Sequence, residues 1–340
     1  MAIRVGLIGC GGVVTAHLRG WKAVEGRAQV VAVADIDRAR AEQRAAEVGG
    51  AEVFTDYREM LARADLDAVD ISLPHHLHRD AIVAAAEAGK HILSEKPLCL
   101  TWQEAEEIAR AVESNGVTMM CAHNQLFLPS VQAARAYLDE GHLGSIYMLR
   151  TIDCFHNFRP TGLPGRPPKP VDLGWRASKA LTGGGELIDT GYHPTYILLY
   201  LARSEPVAVT AFTQKHRHQH MEGEDTGYVM IRFADGSIGH VLTSWAFEFP
   251  LDNPRFQIIG EKGQVSGTNT LVKFKPNGWE TPAQHEFPPT DTFIAEITHF
   301  VECLETGEPP IQTHVDGARV LKVLLAAYKS AEEGITVTLA

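Results

Sequence analysis

The first third of the chain alternates short apolar runs with longer segments of helical periodicity, and this alternation limits the fold more than any other feature. The runs are rich in Val, Ile and Leu and lack a polar/apolar alternation, which is typical of parallel strands buried on both faces. They occupy residues 5–8, 30–34, 68–73, 91–93 and 117–121. Strands and helices in this order predict a doubly wound parallel sheet.

The pattern changes after about residue 124. Here long segments alternate polar and apolar residues, as expected for an antiparallel sheet with one covered face. These segments are 207–213, 227–233, 237–246 and 256–259. They predict an α+β region with a large, mostly antiparallel open sheet. We therefore expect two domains, 1–123 and 124–340.

Composition excludes several classes of function. The 340 residues carry 31 Lys and Arg against 42 Asp and Glu, and the net charge of −11 disfavours nucleic-acid binding. Five cysteines without a C-x-x-C pair predict neither a disulfide framework nor a thiolate zinc site, and we expect no metal. The N-terminus runs directly into a strand pattern, and no apolar run approaches the roughly 18 residues that cross a bilayer. We expect a cytoplasmic protein without membrane contact.

A glycine-rich turn follows the first apolar run and opens a helix. Its frame is G-x-G-x-x-V, and the residues expected to contact the cofactor are Gly9, Gly11, Gly12 and Val13. In this context such a turn predicts a Rossmann dinucleotide site, with the pyrophosphate at the helix N-terminus; a plain turn is the alternative. Asp35 ends the second run, where a carboxylate accepts hydrogen bonds from the adenosine ribose, so we expect NAD rather than NADP. Alternatively, Asp35 or Asp37 only caps the next helix, and Arg38 is close enough in sequence to pair with a phosphate.

Three further segments place polar side chains where ligands bind. Residues 71–78 and 91–97 each end a strand at the carboxyl edge of the predicted sheet, which is the ligand-binding edge of open α/β sheets. The third segment, residues 183–193, begins with three glycines and continues as a helix. Asp189 and His193 are four residues apart there, so we expect them on one helix face.

These segments resemble the glucose–fructose oxidoreductase/inositol dehydrogenase family (Gfo/Idh/MocA) over nearly the whole chain. The matching motifs are G-x-G-G, A-G-K-H-x-x-x-E-K-P and G-G-G-x-x-x-D-x-G-x-H. The resemblance implies a Rossmann domain, a second domain with a large open sheet, and NAD(P)-dependent oxidation or reduction of sugars and polyols. It makes Lys96 the catalytic lysine, with Asp189 and His193 as the other two polar positions. The positions that it places at the cofactor are Ser72, Pro74, His75, His78, Glu95 and Lys96.

The chain departs from the family pattern at three positions. Val14 replaces the usual small residue, His75 stands where Asn is frequent, and Tyr196 stands where the family often has Asp. None of these departures removes the set of Lys96, Asp189 and His193.

The same three residues suit the chemistry on their own account. Oxidation of a secondary alcohol needs a hydride acceptor, a base for the hydroxyl proton and a positive group beside the developing alkoxide. Lys96 supplies the charge, His193 titrates near neutral pH and can take the proton, and Asp189 orients His193 or binds a substrate hydroxyl. The structural alternatives are a solvated lysine, a core histidine and an intrahelical ion pair. The further candidates for contact with a sugar or polyol are Asn124, His156, Trp175 and Arg176.

Two other functions are compatible with the same sequence. A redox-neutral NAD-dependent lyase or glycosidase working through a transient keto-sugar would use the same first step, and a non-catalytic NAD-binding regulator would keep only the cofactor site.

His216, His218 and His220 would share one face of a strand as a metal set, although a solvated loop or subunit interface is favoured. The long strands leave one sheet face to be covered, which predicts a homodimer or homotetramer through the C-terminal sheet.

Overall fold

The computed structural model describes residues 2–159, 169–250 and 253–339. Its helices are α1 Val14–Ala23, α2 Arg38–Glu47, α3 Tyr57–Arg63, α4 His78–Glu87, α5 Trp102–Asn115, α6 Pro129–Asp139, α7 Lys179–Thr182, α8 Glu186–Asp189, α9 Tyr192–Ala202, α10 Thr292–Thr306 and α11 His314–Glu333. Its strands are β1 Ile3–Ile8, β2 Ala28–Ala34, β3 Glu52–Phe54, β4 Ala68–Ile71, β5 His91–Glu95, β6 Met119–Ala122, β7 Ile146–Cys154, β8 Phe158–Arg159, β9 Lys169–Pro170, β10 Pro206–Gln214, β11 Thr226–Phe233, β12 Ile238–Ser244, β13 Phe256–Gly260, β14 Gly263–Gly267, β15 Leu271–Pro276, β16 Ala283–Glu286 and β17 Val337–Thr338.

The N-terminal sheet is parallel and doubly wound, as predicted. Its six strands lie in the order β3-β2-β1-β4-β5-β6, and every pair is parallel. The five predicted runs all form strands, and the three-residue β3 adds an edge strand that the apolar runs did not predict. Strand β3 is only three residues long and begins with the exposed Glu52. Its apolar stretch is therefore too short to predict a strand.

The second sheet is large and mostly antiparallel, also as predicted. Its nine strands lie in the order β16-β15-β14-β13-β7-β12-β11-β10-β17, and only the β12–β7 pair is parallel. Gly236, with φ of +88°, makes the turn between β11 and β12, as expected of the Asp-Gly pair. Helices α8 and α9 pack on one face of this sheet. These two helices carry Asp189 and His193.

The chain forms two compact units, and the first is not continuous in sequence. Unit 1 comprises residues 1–124 and 291–321, and unit 2 comprises residues 125–290 and 322–340. The domain boundary at 123/124 stays a prediction. The contacts between residues assign 291–321 to the N-terminal unit. Gly20 explains this packing, because a Cβ at that position would lie 2.5 Å from Ile297 Cδ1 and 2.9 Å from the Phe293 carbonyl oxygen. Glycine therefore lets α1 and α10 approach closely.

Candidate active site

The carboxyl ends of β1, β4 and β5 lie side by side in unit 1. The register pairs Ile8 with Ile71 and Ile71 with Ser94, so the segments that follow these strands begin at one edge of the sheet. The glycine turn, the Ser72 segment and the Glu95–Lys96 pair are thus neighbours, as the sequence predicted.

The glycine turn has a closed inner side and an open outer side. Gly9 has φ of +91°, and a Cβ there would lie 2.4 Å from the Ser72 carbonyl oxygen, so only glycine fits. A Cβ at Gly11 or Gly12 would meet no atom within 4 Å. Val13, which is 37% exposed, precedes the first residue of α1. Open backbone at a helix N-terminus is what a dinucleotide pyrophosphate requires, so these residues fit NAD.

Asp35 is tied to this turn and is not the cap of α2. Its Oδ2 accepts the Cys10 N–H at 2.8 Å, and its Oδ1 accepts the Asp37 N–H at 2.8 Å. Asp37 is the capping residue, since its carboxylate accepts from the Ala39 and Arg40 N–H groups. Arg38 instead pairs with Glu42 at 2.9 Å on the exposed side of α2.

Arg44 is a residue of this turn that the sequence reading missed. Its guanidinium donates to the carbonyl oxygen of Gly11 at 3.2 Å and to Thr15 Oγ1 at 3.0 Å, and only 11% of its side chain is exposed. It braces the turn from α2 and places a positive charge beside it. The one signal in the sequence was a basic residue in the last turn of the helix after Asp35.

Two buried histidines support the neighbouring strand ends. The His78 ring is fully buried, with Nδ1 2.6 Å from the Pro97 carbonyl oxygen and Nε2 2.9 Å from that of Leu73. Burial lowers the pKa of His78, although the two carbonyl groups oppose this effect. His75 is also buried, and its ring meets that of His78 edge to face at 6.0 Å. His78 therefore braces the Leu73 and Pro97 segments from the interior.

Lys96 follows the last residue of β5. Its backbone N–H donates to Glu95 Oε2 at 3.0 Å, and the peptide bond to Pro97 is cis. Ser72 and Pro74 follow β4 at the same edge, and the Ser72 hydroxyl lies 3.5 Å from Asp70 Oδ1. The substrate candidate Asn124 is buried at the end of the first part of unit 1 and donates to Thr292 Oγ1 at 3.0 Å.

Asp189 and His193 lie in unit 2 on two consecutive helices, so the prediction of one helix through both residues was wrong. Asp189 ends α8, and His193 is the second residue of α9. The Gly191 N–H bonds to the carbonyl of Glu186, five residues back, at 3.0 Å, so the helical hydrogen-bond pattern widens between them. A widened turn of this kind is frequent at functional sites.

Each of these two side chains has a defined partner. Asp189 is buried, and its Oδ2 accepts from Arg176 Nε at 2.7 Å. The Arg176 guanidinium stacks over the Trp175 ring at 4.4 Å from the ring centre. His193 Nδ1 lies 2.8 Å from the buried Tyr196 hydroxyl, whose oxygen also accepts the Gln125 N–H at 3.1 Å. Tyr196 thus takes the orienting place beside His193.

Two of the three glycines before α8, Gly184 and Gly185, are explained by close contacts from distant elements. A Cβ at Gly184 would lie 2.1 Å from the Tyr328 hydroxyl oxygen, and one at Gly185 would lie 2.1 Å from the Glu224 carbonyl oxygen. The Tyr328 oxygen accepts the N–H groups of Gly185 and Ile188, both at 3.2 Å. These contacts provide hydrogen-bond partners for backbone N–H groups at the start of α8, which lacks a local side-chain cap.

The Pro-rich sequence of residues 156–172 predicts a long loop, and this segment lies partly outside the described residues. His156 is exposed at the start of this loop, and Trp175 and Arg176 form a short 3-10 helix, Gly174–Ala177, after it. The structure thus brings Trp175, Arg176 and Asp189 together.

His216, His218 and His220 do not share a strand face. Residues 215–225 form a loop between β10 and β11, in which His218 is buried against Trp245 while His216 and His220 are exposed. The Asp225 carboxylate accepts the N–H groups of residues 216, 217 and 218 at 2.7 to 2.9 Å, so it closes the loop. Among the described residues, no group of three potential ligand side chains could hold a metal ion.

A parallel sheet with an open glycine turn at its carboxyl edge, together with a large second sheet whose buried helices carry Asp189 and His193, is the architecture of the NAD-binding oxidoreductases. The chain belongs to the Gfo/Idh/MocA oxidoreductase family, as the sequence motifs indicated. Residues 3–123 match the family's NAD-binding Rossmann fold, and residues 131–266 match the GFO/IDH/MocA C-terminal domain.

Named relatives agree with this assignment. Inositol 2-dehydrogenase of Rhizobium meliloti (strain 1021) is 30% identical over 100% of both chains. The scyllo-inositol 2-dehydrogenase (NAD(+)) of Bacillus subtilis (strain 168) is 29% identical over 99% of this chain and 96% of its own. A solved levoglucosan dehydrogenase, in complex with NADH and levoglucosan, is 26% identical over 99% of both chains with a TM-score of 0.87. The protein is therefore an NAD-binding oxidoreductase, and these named relatives are dehydrogenases of inositols and levoglucosan.

The helices of the described residues are all too short or too polar to cross a membrane. The cytoplasmic location stays a prediction.

Proposed function

We propose that the protein transfers a hydride between a secondary alcohol carbon of a sugar, polyol or sugar derivative and the nicotinamide of NAD, with Lys96, Asp189 and His193 as the polar catalytic set. The observation that carries this proposal is the pairing of Asp189 with Arg176 and of His193 with Tyr196 on consecutive helices. Both side chains are fixed by partners, which is the pre-organisation that a catalytic group needs.

The cofactor would be held by unit 1. Gly9, Gly11, Gly12 and Val13 would receive the pyrophosphate, and Asp35 the adenosine ribose. Ser72, Pro74, His75, His78 and Glu95 would support or contact the nicotinamide half. The bound nicotinamide supplies the hydride acceptor or donor.

The proton would be handled by His193. Its Nδ1–H donates to the Tyr196 oxygen in this proposal, and Nε2 takes the proton of the substrate hydroxyl. The Lys96 ammonium stabilises the developing alkoxide, and Asp189 binds a neighbouring substrate hydroxyl while Arg176 holds its carboxylate. The residues proposed to contact the rest of the sugar or polyol are Asn124, His156, Trp175 and Arg176.

The cofactor and proton roles should separate under mutation. His193→Ala should leave the NAD dissociation constant nearly unchanged while lowering kcat roughly 10²–10⁴-fold, the usual contribution of a positioned acid or base. Lys96→Met should also lower kcat strongly, because it removes the charge beside the alkoxide. Titration with NAD and steady-state kinetics measure both effects, and the exposed His216→Ala serves as the matched control. Wild-type kcat in His193→Ala with an unchanged pH profile would move the acid/base role to Lys96 or Asp189.

A panel of sugars and polyols separates the three readings of the site. NADH absorbance and product mass are followed together with purified protein. A dehydrogenase changes both, a redox-neutral lyase or glycosidase changes only the product mass, and a regulator changes neither while still binding NAD.

We also propose a homodimer or homotetramer through the large sheet. The face of β10 and β11 that points away from α8 carries Phe212, Tyr228 and Met230, which are 72%, 40% and 55% exposed. The register places Phe212 opposite Tyr228 and Thr210 opposite Met230, so these apolar groups are neighbours. Such a patch is typical of a subunit interface.

A further inference from the structure

A fully buried histidine on α1 connects two strand ends of unit 1. His17 Nδ1 lies 2.8 Å from Asp70 Oδ2, and His17 Nε2 lies 3.1 Å from Glu95 Oε1. Ionised carboxylates only accept hydrogen bonds, so a ring that bonds two of them donates from both nitrogens. The geometry therefore indicates an imidazolium at His17.

The charges of the three groups support one another. Burial alone would lower the pKa of His17, but Asp70 and Glu95 outweigh burial and raise it well above the ordinary value. Burial alone would raise the pKa of Glu95, but the hydrogen bond and charge of His17 outweigh it and lower that pKa. At neutral pH, His17 is positive and Glu95 is negative.

Other groups reach this cluster from α1 and α10. From α1, the Trp21 indole N–H donates to Asp70 Oδ2 at 2.7 Å. From α10, the Phe293 ring lies 5.4 Å from the His17 ring. Also from α10, Glu296 is fully buried with both carboxyl oxygens lacking a hydrogen-bond partner in the described structure, and burial raises its pKa well above the ordinary value. Burial therefore favours the neutral form of Glu296.

Glu95 links this cluster to Lys96. Its Oε1 receives the His17 bond, and its Oε2 receives the backbone N–H of Lys96 at 3.0 Å. The Lys96 charge is also among the influences that lower the pKa of Glu95. Two positive groups, His17 and Lys96, thus offset two negative groups, Asp70 and Glu95.

We infer that His17 is a positioning residue for Lys96. His17 fixes the Glu95 carboxylate, which accepts the backbone N–H of Lys96. The positive charge of His17 also balances the negative charge of Glu95, so this balance does not depend on the Lys96 ammonium alone. The inference rests on the proposed role of Lys96. Without the imidazolium, Glu95 would favour the protonated lysine more strongly, and Lys96 would release its proton at a higher pH.

Two substitutions remove the charge and retain different bonds. His17→Asn leaves an amide N–H near the place of Nδ1, towards Asp70, whereas His17→Gln leaves one near Nε2, towards Glu95. We expect both to move the Lys96 titration about one pH unit upwards, a tenfold change in its proton affinity. His17→Asn should lower kcat more, because it also frees the Glu95 carboxylate.

The Lys96 titration is followed by NMR on protein with isotope-labelled lysine, with the Lys96 resonance assigned by its loss in Lys96→Met. This readout requires no substrate, so a protein that turns over no sugar would refute the proposed function while still testing the inference. His91→Gln is the control, because His91 is a half-buried histidine at the start of β5, the strand that ends at Glu95.

The opposite shift is expected from Glu95→Gln, in which Lys96 should release its proton at a lower pH. The wild-type nitrogen resonances of His17 should show both nitrogens protonated at pH 8. If neither His17 variant folds, these resonances and the Glu95→Gln variant still test the inference. An unshifted Lys96 titration in the folded variants, or a neutral His17 ring in the wild type, would overturn the inference. A purely structural His17 would lower only the unfolding temperature.

Discussion

Glu186 begins α8 as a fully buried glutamate. The Thr243 hydroxyl donates to its Oε1, while its Oε2 lacks a hydrogen-bond partner within the described structure. Burial and the charge of nearby Glu224 raise the pKa of Glu186 well above the ordinary value, against the opposing bond from Thr243. The native protein thus holds a proton here that the unfolded chain has released at neutral pH.

This proton makes stability fall as pH rises. Above the ordinary glutamate pKa of 4.5, the native state binds more protons than the unfolded state, so the free energy of unfolding decreases by up to about 1.4 kcal/mol per pH unit until the native pKa is reached. Glu186→Gln copies the protonated form and should remove this dependence. Unfolding temperatures at pH 5 and pH 8 should therefore differ less in the variant than in the wild type. The exposed Glu25→Gln is the control, and a variant with the wild-type pH dependence would contradict the assignment.

Asp35 combines two roles, because its carboxylate holds the Cys10 N–H and is also proposed to select the cofactor. Asp35→Ser should weaken NAD binding and relieve the repulsion of the NADP 2′-phosphate. Asp35→Asn keeps an oxygen for the Cys10 N–H and removes the charge, at the loss of the oxygen that accepts the Asp37 N–H. Dissociation constants for both cofactors measure the change in preference. A wild type that binds NADP more tightly than NAD would refute this reading of Asp35.

Among the structural elements, the glycine turn offers a matched pair of substitutions. Gly9→Ala should lower the unfolding temperature, because φ is +91° and the Cβ would collide with the Ser72 carbonyl. Gly12→Ala meets open space and should leave stability nearly unchanged, while its methyl group weakens NAD binding. Thermal unfolding without NAD and titration with NAD separate the two effects. Equal losses of stability in both variants would contradict the division of the turn into closed and open sides.

Local patterns predicted the elements that depend on local bonds. Thr101 and Glu104 have the spacing of a capping box in the sequence, and they begin α5, which Gly116 ends with φ of +62°. The break between α8 and α9 was not predicted, because the start of α8 is held by Tyr328 and Glu224, which are distant in sequence. The charged cluster around His17 escaped prediction for the same reason, since its members are brought together only by the fold.

For the molecule as a whole, the exposed sheet face carries the prediction of assembly. Met230→Glu introduces a charge into the patch beside Phe212 and Tyr228, and burying it in an interface would be costly. Sedimentation should therefore change from an oligomer to a monomer of 37.2 kDa. Val315→Glu, at an exposed position on α11, is the control. A wild type that sediments only as a monomer at micromolar concentration would refute the interface.

The return of the chain to unit 1 has a consequence for synthesis. On the ribosome, residues 1–124 emerge first, but α10, which covers Gly20 and His17, follows only after the whole of residues 125–290. Until α10 has been synthesised, one flank of α1 in the nascent N-terminal unit is exposed to water, and the charged groups beside His17 are not yet covered. Helix α1 is therefore synthesised long before α10 but reaches its final surroundings only after α10 has been added.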